Sequence, residues 1–331
     1  MGFILAAGLL LSIPIIRGAS KTYAFVLTEQ YPPPGEMINA GGHRLHLNCT
    51  GKGSPAVLIE PGLGTDWISW QAVRQEVSQF TCVCVYDRAG YGWSDPGPFP
   101  RTSGQIAAEL ELLLKNSGIA GPYILAAHSF GAYSARIYAA RNPAQVAGLV
   151  LVDPSHEDEA RLSPPPQEPG PVERPFGLRD LLQLVPPLGT DHMIRLWKGR
   201  AILPPELSDV PLDVQNRFVI GTPLRQRDAE MSEMASLPES EAQASRASLP
   251  HDMPLRVLTS MKLESPRTHK EPVPDVSRVH IEVQARLAAS STNGKQIQAH
   301  ASGHFIQLDE PELVVRAIQD VVEQSHRNRT N

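Results

Sequence analysis

The chain has 331 residues, 41% hydrophobic and 20% charged, with a formal net charge of -5. This length holds one large core or two domains, the composition is that of a globular protein, and an acidic balance without a basic, aromatic-interleaved patch excludes nucleic acid as the main partner. Three cysteines, Cys49, Cys82 and Cys84, are too few for a disulfide framework.

Phe3 to Ile16 is apolar apart from one serine, and Arg17 and Lys21 follow. A helix over that run would reach about 21 Å, short of the ~30 Å hydrocarbon core, whereas a stretch extended to Leu27 could span it. Gly18 and Ser20 are small residues suited to a signal cleavage site, although no basic region precedes the apolar run. Membrane association through residues 3–27, or export, is therefore expected, with a buried helix in a cytoplasmic protein as the alternative. Gln30 to Gly35 (QYPPPG) is a stiff spacer, which completes an N-terminal segment over 1–35.

Arg44 to Cys49 alternates like a strand, and Ala56 to Glu60 (AVLIE) is a continuous apolar run, as expected for a strand covered on both faces. Trp70, Val73 and Val77 have helical spacing within Trp67 to Phe80. Thr81 to Tyr86 (TCVCVY) reads as the next buried strand, with Cys82 and Cys84 as small core residues. A helix is predicted over Thr102 to Lys115, where Thr102 and Gln105 form a capping box and Gly118 lies just past the end. Tyr123 to Ala127 and Gly148 to Val152 are further short strands, separated by an Ala-rich helix. Strands alternating with amphipathic helices indicate a parallel α/β sheet.

The pattern changes after Pro154. Residues 154–251 are rich in proline and mostly polar, with amphipathic pieces at Leu178 to Leu184, His192 to Trp197 and Pro223 to Leu237. That is too long for a connection, so it is expected to be a cap inserted into a core made of residues 36–153 and 252–331. The core resumes with a strand at Leu255 to Thr259, a helix from Asp275 to Ala289 and a strand at Lys295 to His300. A last helix is predicted to start at Asp309, with Glu312 in its capping box and Leu313, Ile318 and Val322 on its buried face.

The chemistry centres on Ala127-His128-Ser129-Phe130-Gly131. This bend between a strand and a helix has the small-x-Ser-x-Gly form of a nucleophile elbow. Small neighbours are needed because the serine holds a strained backbone, and the start of the helix favours negative charge. A serine hydroxyl needs a base within reach and a group to orient that base. The candidate base is His304, in a loop after the last strand, on the sheet edge that also carries the elbow. His128 is expected to point away from Ser129, and His156 opens the cap. Asp153, at the end of its strand, is the favoured acid, with Glu264 after the Leu255–Thr259 strand as the alternative and Asp158 third. Glu60-Pro61-Gly62-Leu63-Gly64 follows a buried strand, and its glycines allow close approach to the elbow. The N–H groups of Leu63 and Phe130 are the candidate oxyanion donors. This turn lacks the spacing and lysine of a phosphate-binding loop.

With Ser129, Asp153, His304 and the glycine turn in that order, the chain resembles the α/β-hydrolase superfamily, in its esterase-like branch with a helical cap. Tyr86-Asp87-Arg88-Ala89-Gly90-Tyr91-Gly92-Trp93-Ser94 is similar to the hallmark after that family's fourth strand, where Asp and Arg are mainly structural. Ser302-Gly303-His304 followed by Asp309-Glu310-Pro311 is similar to its histidine loop. Ala127 replaces the first elbow glycine, Glu60-Pro61 replaces the common His-Gly, and the usual aspartate after the seventh strand is absent. Serine at 129 also separates the chain from epoxide hydrolases and haloalkane dehalogenases of this fold, which use aspartate there.

The resemblance implies an α/β-hydrolase fold and a serine hydrolase cleaving a small carboxylic ester, or a related amide or lactone, without cofactor or metal. A lyase, an acyltransferase and a non-catalytic ligand-binding homologue are the rivals, and the oligomeric state is not legible.

Overall fold

The computed structural model describes residues 32–65, 67–162, 226–262 and 274–330. The chain divides into two compact units. Pro33–Pro164 with Asp228–Asn331 form one, while the other, Met1–Pro32 with Pro165–Arg227, falls almost wholly outside the described residues. The expected N-terminal anchor or signal, the amphipathic pieces at Leu178 to Leu184 and His192 to Trp197, and Glu264 also lie outside them. Among the described residues, no helix is long and apolar enough to cross a membrane.

Eight strands make one sheet in the order β1-β2-β4-β3-β5-β6-β7-β8. They are β1 (Glu36–Asn39), β2 (Arg44–Thr50), β3 (Ala56–Glu60), β4 (Val83–Tyr86), β5 (Tyr123–His128), β6 (Val146–Val152), β7 (Leu255–Ser260) and β8 (Gly294–Ala299). β1 and β2 pair antiparallel at one edge, β2 also meets β4 antiparallel, and β3 to β8 run parallel. The apolar runs at β3, β5 and β7 are buried at every position, because helices cover both faces of the parallel part.

From β3 the chain crosses to β4 on one side, and β5 lies on the other, so the order reverses between β3 and β5. Such a switch point opens a crevice at the carboxyl ends of the strands. The turn after β3 and the bend after β5 flank it, and the segments after β6 and β8 end at the same edge. Strand order alone thus gathers four of the loops singled out in the sequence.

The helices are α1 (Gln71–Val77), α2 (Ser103–Ser117), α3 (Gly131–Arg141), α4 (Glu157–Leu162), α5 (Gln226–Ala235), α6 (Leu237–Ala244), α7 (Pro274–Ala289), α8 (Ile306–Asp309) and α9 (Pro311–Thr330). α2 starts as its capping residues predict: the Thr102 hydroxyl accepts from the Gln105 N–H, and Gly118 ends the helix at φ 73°. Two other N–H groups at its start, on Ser103 and Gly104, donate to the Ser240 hydroxyl and the Gln243 side-chain oxygen of α6. Part of the expected cap therefore supplies acceptors that a helix start needs.

Three expectations are corrected. The last helix begins at Pro311, after the separate short α8, since proline suits a first helical position but interrupts a continuous run from 309. Its buried face carries Val314 beside Ile318 and Val322, and Leu313 is only partly covered. Cys84 is buried but not a free core residue: it faces Cys49 across the β2–β4 ladder and forms a disulfide with it, leaving Cys82 as the free cysteine. The pairing depends on the register of β2 on β4, which sets Cys49 opposite Cys84. Thiol titration of the unreduced, denatured protein is expected to find one thiol, rising to three after reduction; Cys49→Ala with Cys84→Ala should cost about 2–4 kcal/mol in urea unfolding.

Candidate active site

Ser129 directly follows β5, in the left-handed region at φ 51°. The neighbours have the sizes this bend demands. A Cβ on Gly131 would stand 2.6 Å from the Pro61 carbonyl oxygen, and one on Gly62 would stand 3.3 Å from the Ser129 Cβ. The turn after β3 and the bend after β5 therefore pack closely, Gly131 against Pro61 and Gly62 against Ser129. Ala127 is fully buried, and the Ser129 N–H donates to the Val152 carbonyl of β6 at 3.1 Å.

The candidate base and acid lie in line with this serine. The Ser129 hydroxyl lies 2.9 Å from His304 Nε2, and His304 Nδ1 lies 2.7 Å from Asp153 Oδ2. A carboxylate can only accept, so Nδ1 carries a proton, and in the neutral ring Nε2 then presents its lone pair to the hydroxyl. His304 is about half exposed and Asp153 almost wholly buried. The loop of His304 is held from below: the Ser302 hydroxyl and Ala301 N–H donate to Glu310, and the Gly303 N–H donates to Asp309.

Asp153 sits at φ 41°, also in the left-handed region, directly after β6. Its Oδ1 accepts from the Ser260 N–H at 2.8 Å and from His280 Nε2 at 3.0 Å, and its Oδ2 accepts from the Ser260 hydroxyl at 3.0 Å as well as from His304. Gln284 adds a longer contact at 3.4 Å. Burial pulls the carboxyl upward, but the bonds from His280 and His304 outweigh it and hold Asp153 well below the usual carboxylate range. Of the other acids, Asp158 bonds Arg161 and no histidine takes its carboxylate among the described residues.

Three features escaped the sequence reading. His128 does not simply turn aside: its Nε2–H donates to the His304 carbonyl oxygen at 2.9 Å, and the two rings lie 4.7 Å apart. Burial, and then the nearby His304, lower its pKa to about 3, so it is neutral. His280 belongs to none of the motifs in the sequence. Its signal is that His280 and Gln284 stand four apart on the same α7 face as buried Val283 and Leu287, a polar pair on an apolar stripe.

The third feature lies under the turn after β3. The Arg88 guanidinium, itself buried, donates to the carbonyls of Pro61 and Gly62, to Glu60 and to both oxygens of Glu233 on α5. Tyr91 donates to Glu233 and Tyr86 to Glu60. Burial raises the Glu60 carboxyl to about 7, with Arg88 and Tyr86 pulling it back. Glu60 is thus held between Tyr86 and Arg88, and the arginine fixes the turn's carbonyls. Among the described residues, no group of three or more His, Cys, Asp or Glu could hold a metal ion.

The neutral state of His128 has a pH consequence. Between its folded pKa of about 3 and the ordinary 6.5, the unfolded chain holds a proton that the folded chain lacks. Its contribution to stability therefore falls as pH falls, by up to ~1.4 kcal/mol per pH unit. Urea unfolding at pH 7, 6 and 5 should show His128→Gln losing less stability on acidification than the native chain; equal slopes would contradict this.

Comparison with known proteins agrees with this fold. A curated relative, the uncharacterized protein YqjL of Bacillus subtilis, is 36% identical over 119 residues, 35% of this chain and 47% of that protein. An AB hydrolase superfamily protein of Gibberella zeae is 27% identical over 287 residues, 81% of this chain and 86% of that protein. The chain spans less than half the length of the first curated relatives it matches, 47% and 43%. Among solved structures, an epoxide hydrolase of Vigna radiata superposes with a TM-score of 0.61 at 16% identity, over 87% of this chain and 98% of that one. That likeness speaks for the fold alone. The alpha/beta hydrolase family model matches residues 56–317, well over half of the sequence, and the chain belongs to the alpha/beta hydrolase family.

Proposed function

We propose that this hydrolase-family chain is a serine hydrolase that cleaves a small carboxylic ester, or a related amide or lactone, through an acyl-enzyme on Ser129. The observation that carries the reading is the continuous hydrogen-bond chain from the Ser129 hydroxyl through His304 to Asp153, at 2.9 and 2.7 Å. Family membership by itself supports no more than a hydrolase, since one fold hosts many chemistries.

In this reading His304 Nε2 takes the hydroxyl proton as Ser129 Oγ attacks the substrate carbonyl. The same nitrogen returns the proton to the leaving alcohol and then activates a water that releases the acid from Ser129. Asp153 keeps the imidazole in the required tautomer and stabilises its cation without taking the proton. The N–H groups of Leu63 and Phe130 hold the developing oxyanion, each worth about a hundred- to a thousand-fold in rate. Arg88 keeps the Leu63 turn in place, because the carbonyls it holds belong to the two preceding residues. Residues 154–251 would act as the cap that selects the acyl or alcohol group.

The Cys49–Cys84 disulfide and the apolar segment at 3–27 together favour work outside the cytosol, where disulfides persist. The nucleophile is tested with short-chain nitrophenyl esters. Ser129→Ala should lower kcat by about 10⁶, and equal turnover by that variant would show that Ser129 is not the nucleophile.

A further inference from the structure

We infer that His280 is a permanently charged positioning residue, the counter-ion of the Asp153 carboxylate on the side away from His304, and that with Glu159 it sets the pH at which the Ser129 site becomes reactive. This rests on the serine-hydrolase reading of Ser129, His304 and Asp153.

His280 Nε2 lies 3.0 Å from Asp153 Oδ1, and its Nδ1 lies 3.0 Å from Glu159 Oε1. Carboxylates accept and do not donate, so both ring nitrogens must carry a proton, and the ring is an imidazolium. Burial alone would remove that charge, but the bonds to Asp153 and Glu159 prevail and hold its pKa at about 10.

Among the described residues, no other charge meets His280. α4 brings Glu159, and the segment after β6 brings Asp153. On α7 itself Gln284 is neutral, and Arg278 pairs with Glu282 on the exposed side. β7 offers the neutral Ser260 to Asp153, and β8 offers the neutral Gln296 to α7, while Lys295 acts on Asp320 of α9. On the far side of Asp153 stands His304.

Asp153 thus lies between two histidines in different states. One keeps its proton throughout, and the other gains and loses one in each cycle. A fixed cation on the acid opposes a second cation at His304, so the nucleophile-activating form persists to lower pH than Asp153 alone would allow. Glu159 works in the opposite sense, because its negative charge partly cancels that of His280. The Asp153 carboxylate needs such partners in any case, since an unpaired buried charge is costly. What is specific here is that one partner is cationic and tied to α4, the first helix after the acid.

The test reads the rate of Ser129 labelling by diisopropyl fluorophosphate against pH, which requires no knowledge of the natural substrate. His280→Gln keeps a neutral N–H donor for Asp153 and removes one positive charge; it should move the midpoint of the acid limb up by about half to one pH unit, the scale of a single charge several ångströms away in a partly polar site. Glu159→Gln removes one negative charge and should move the midpoint down. Opposite displacements support the inference, because general loosening of the site has no reason to change sign with the charge removed. Unmoved midpoints, or two displacements in the same direction, overturn it.

Histidine-labelled nitrogen NMR of the native chain at pH 8 provides a second reading that no folding defect can obscure. A doubly protonated ring bonded to carboxylates should be present, and its absence overturns the inference. If the native chain is not labelled at Ser129 at any pH, the serine-hydrolase reading fails, and the dependence of reactivity on His280 fails with it. The NMR signal then decides the remaining claim, that His280 is charged.

Discussion

The site hangs on one buried carboxylate that is given more hydrogen-bond donors than it has oxygens. Asp153 is almost without solvent, and its neighbours from β7, α7 and the His304 loop all donate to it. A carboxylate taken out of water is tolerable only with this degree of compensation. The compensation in turn dictates the geometry: the segment after β6 must turn through a positive φ, β7 must end at Ser260, and His304 must approach on the remaining side. The aspartate therefore positions three separate parts of the chain, and the histidine's orientation toward Ser129 follows from its bond to the acid.

A second buried ionic cluster holds the opposite wall. Arg88 lies between Glu60 and Glu233 and binds the carbonyls of the turn that faces the serine. Two acids share one guanidinium, which is consistent with Glu60 being driven upward by burial. Such clusters add little net stability compared with an apolar core, yet removing one member strands the others. Their value here is geometric. The same arginine joins the turn after β3 to α5 through Glu233.

Much of this was legible in the sequence because it depends on local pattern. Apolar runs bounded by turns gave the parallel strands, Thr102 and Gln105 gave a helix start, and the small residues around Ser129 gave the strained bend. Asp153 could be named from its place at a strand end, and His304 from the loop that follows the last strand. What stayed hidden depends on pairings across the sheet or between distant helices. Nothing near Cys49 in sequence marks Cys84 as its neighbour, since the register of β2 on β4 decides it. His280 reads as one polar residue on a helix until β6 brings Asp153 beneath it, and Glu233 reads as a surface acid until Arg88 reaches it from 145 residues away. The missing aspartate after β7 becomes intelligible in the same way: Ser260 stands there and donates to the acid supplied by β6.

The claim that the buried aspartate governs the serine through His304 is tested most directly by replacing Asp153 with asparagine and measuring the rate of fluorophosphonate labelling at neutral pH. An amide offers the imidazole a donor where it needs an acceptor and favours the wrong tautomer, which in serine proteases costs about 10⁴ in rate. The account predicts a folded variant labelled slower by at least ~10³-fold. A folded variant labelled as fast as the native chain would contradict it.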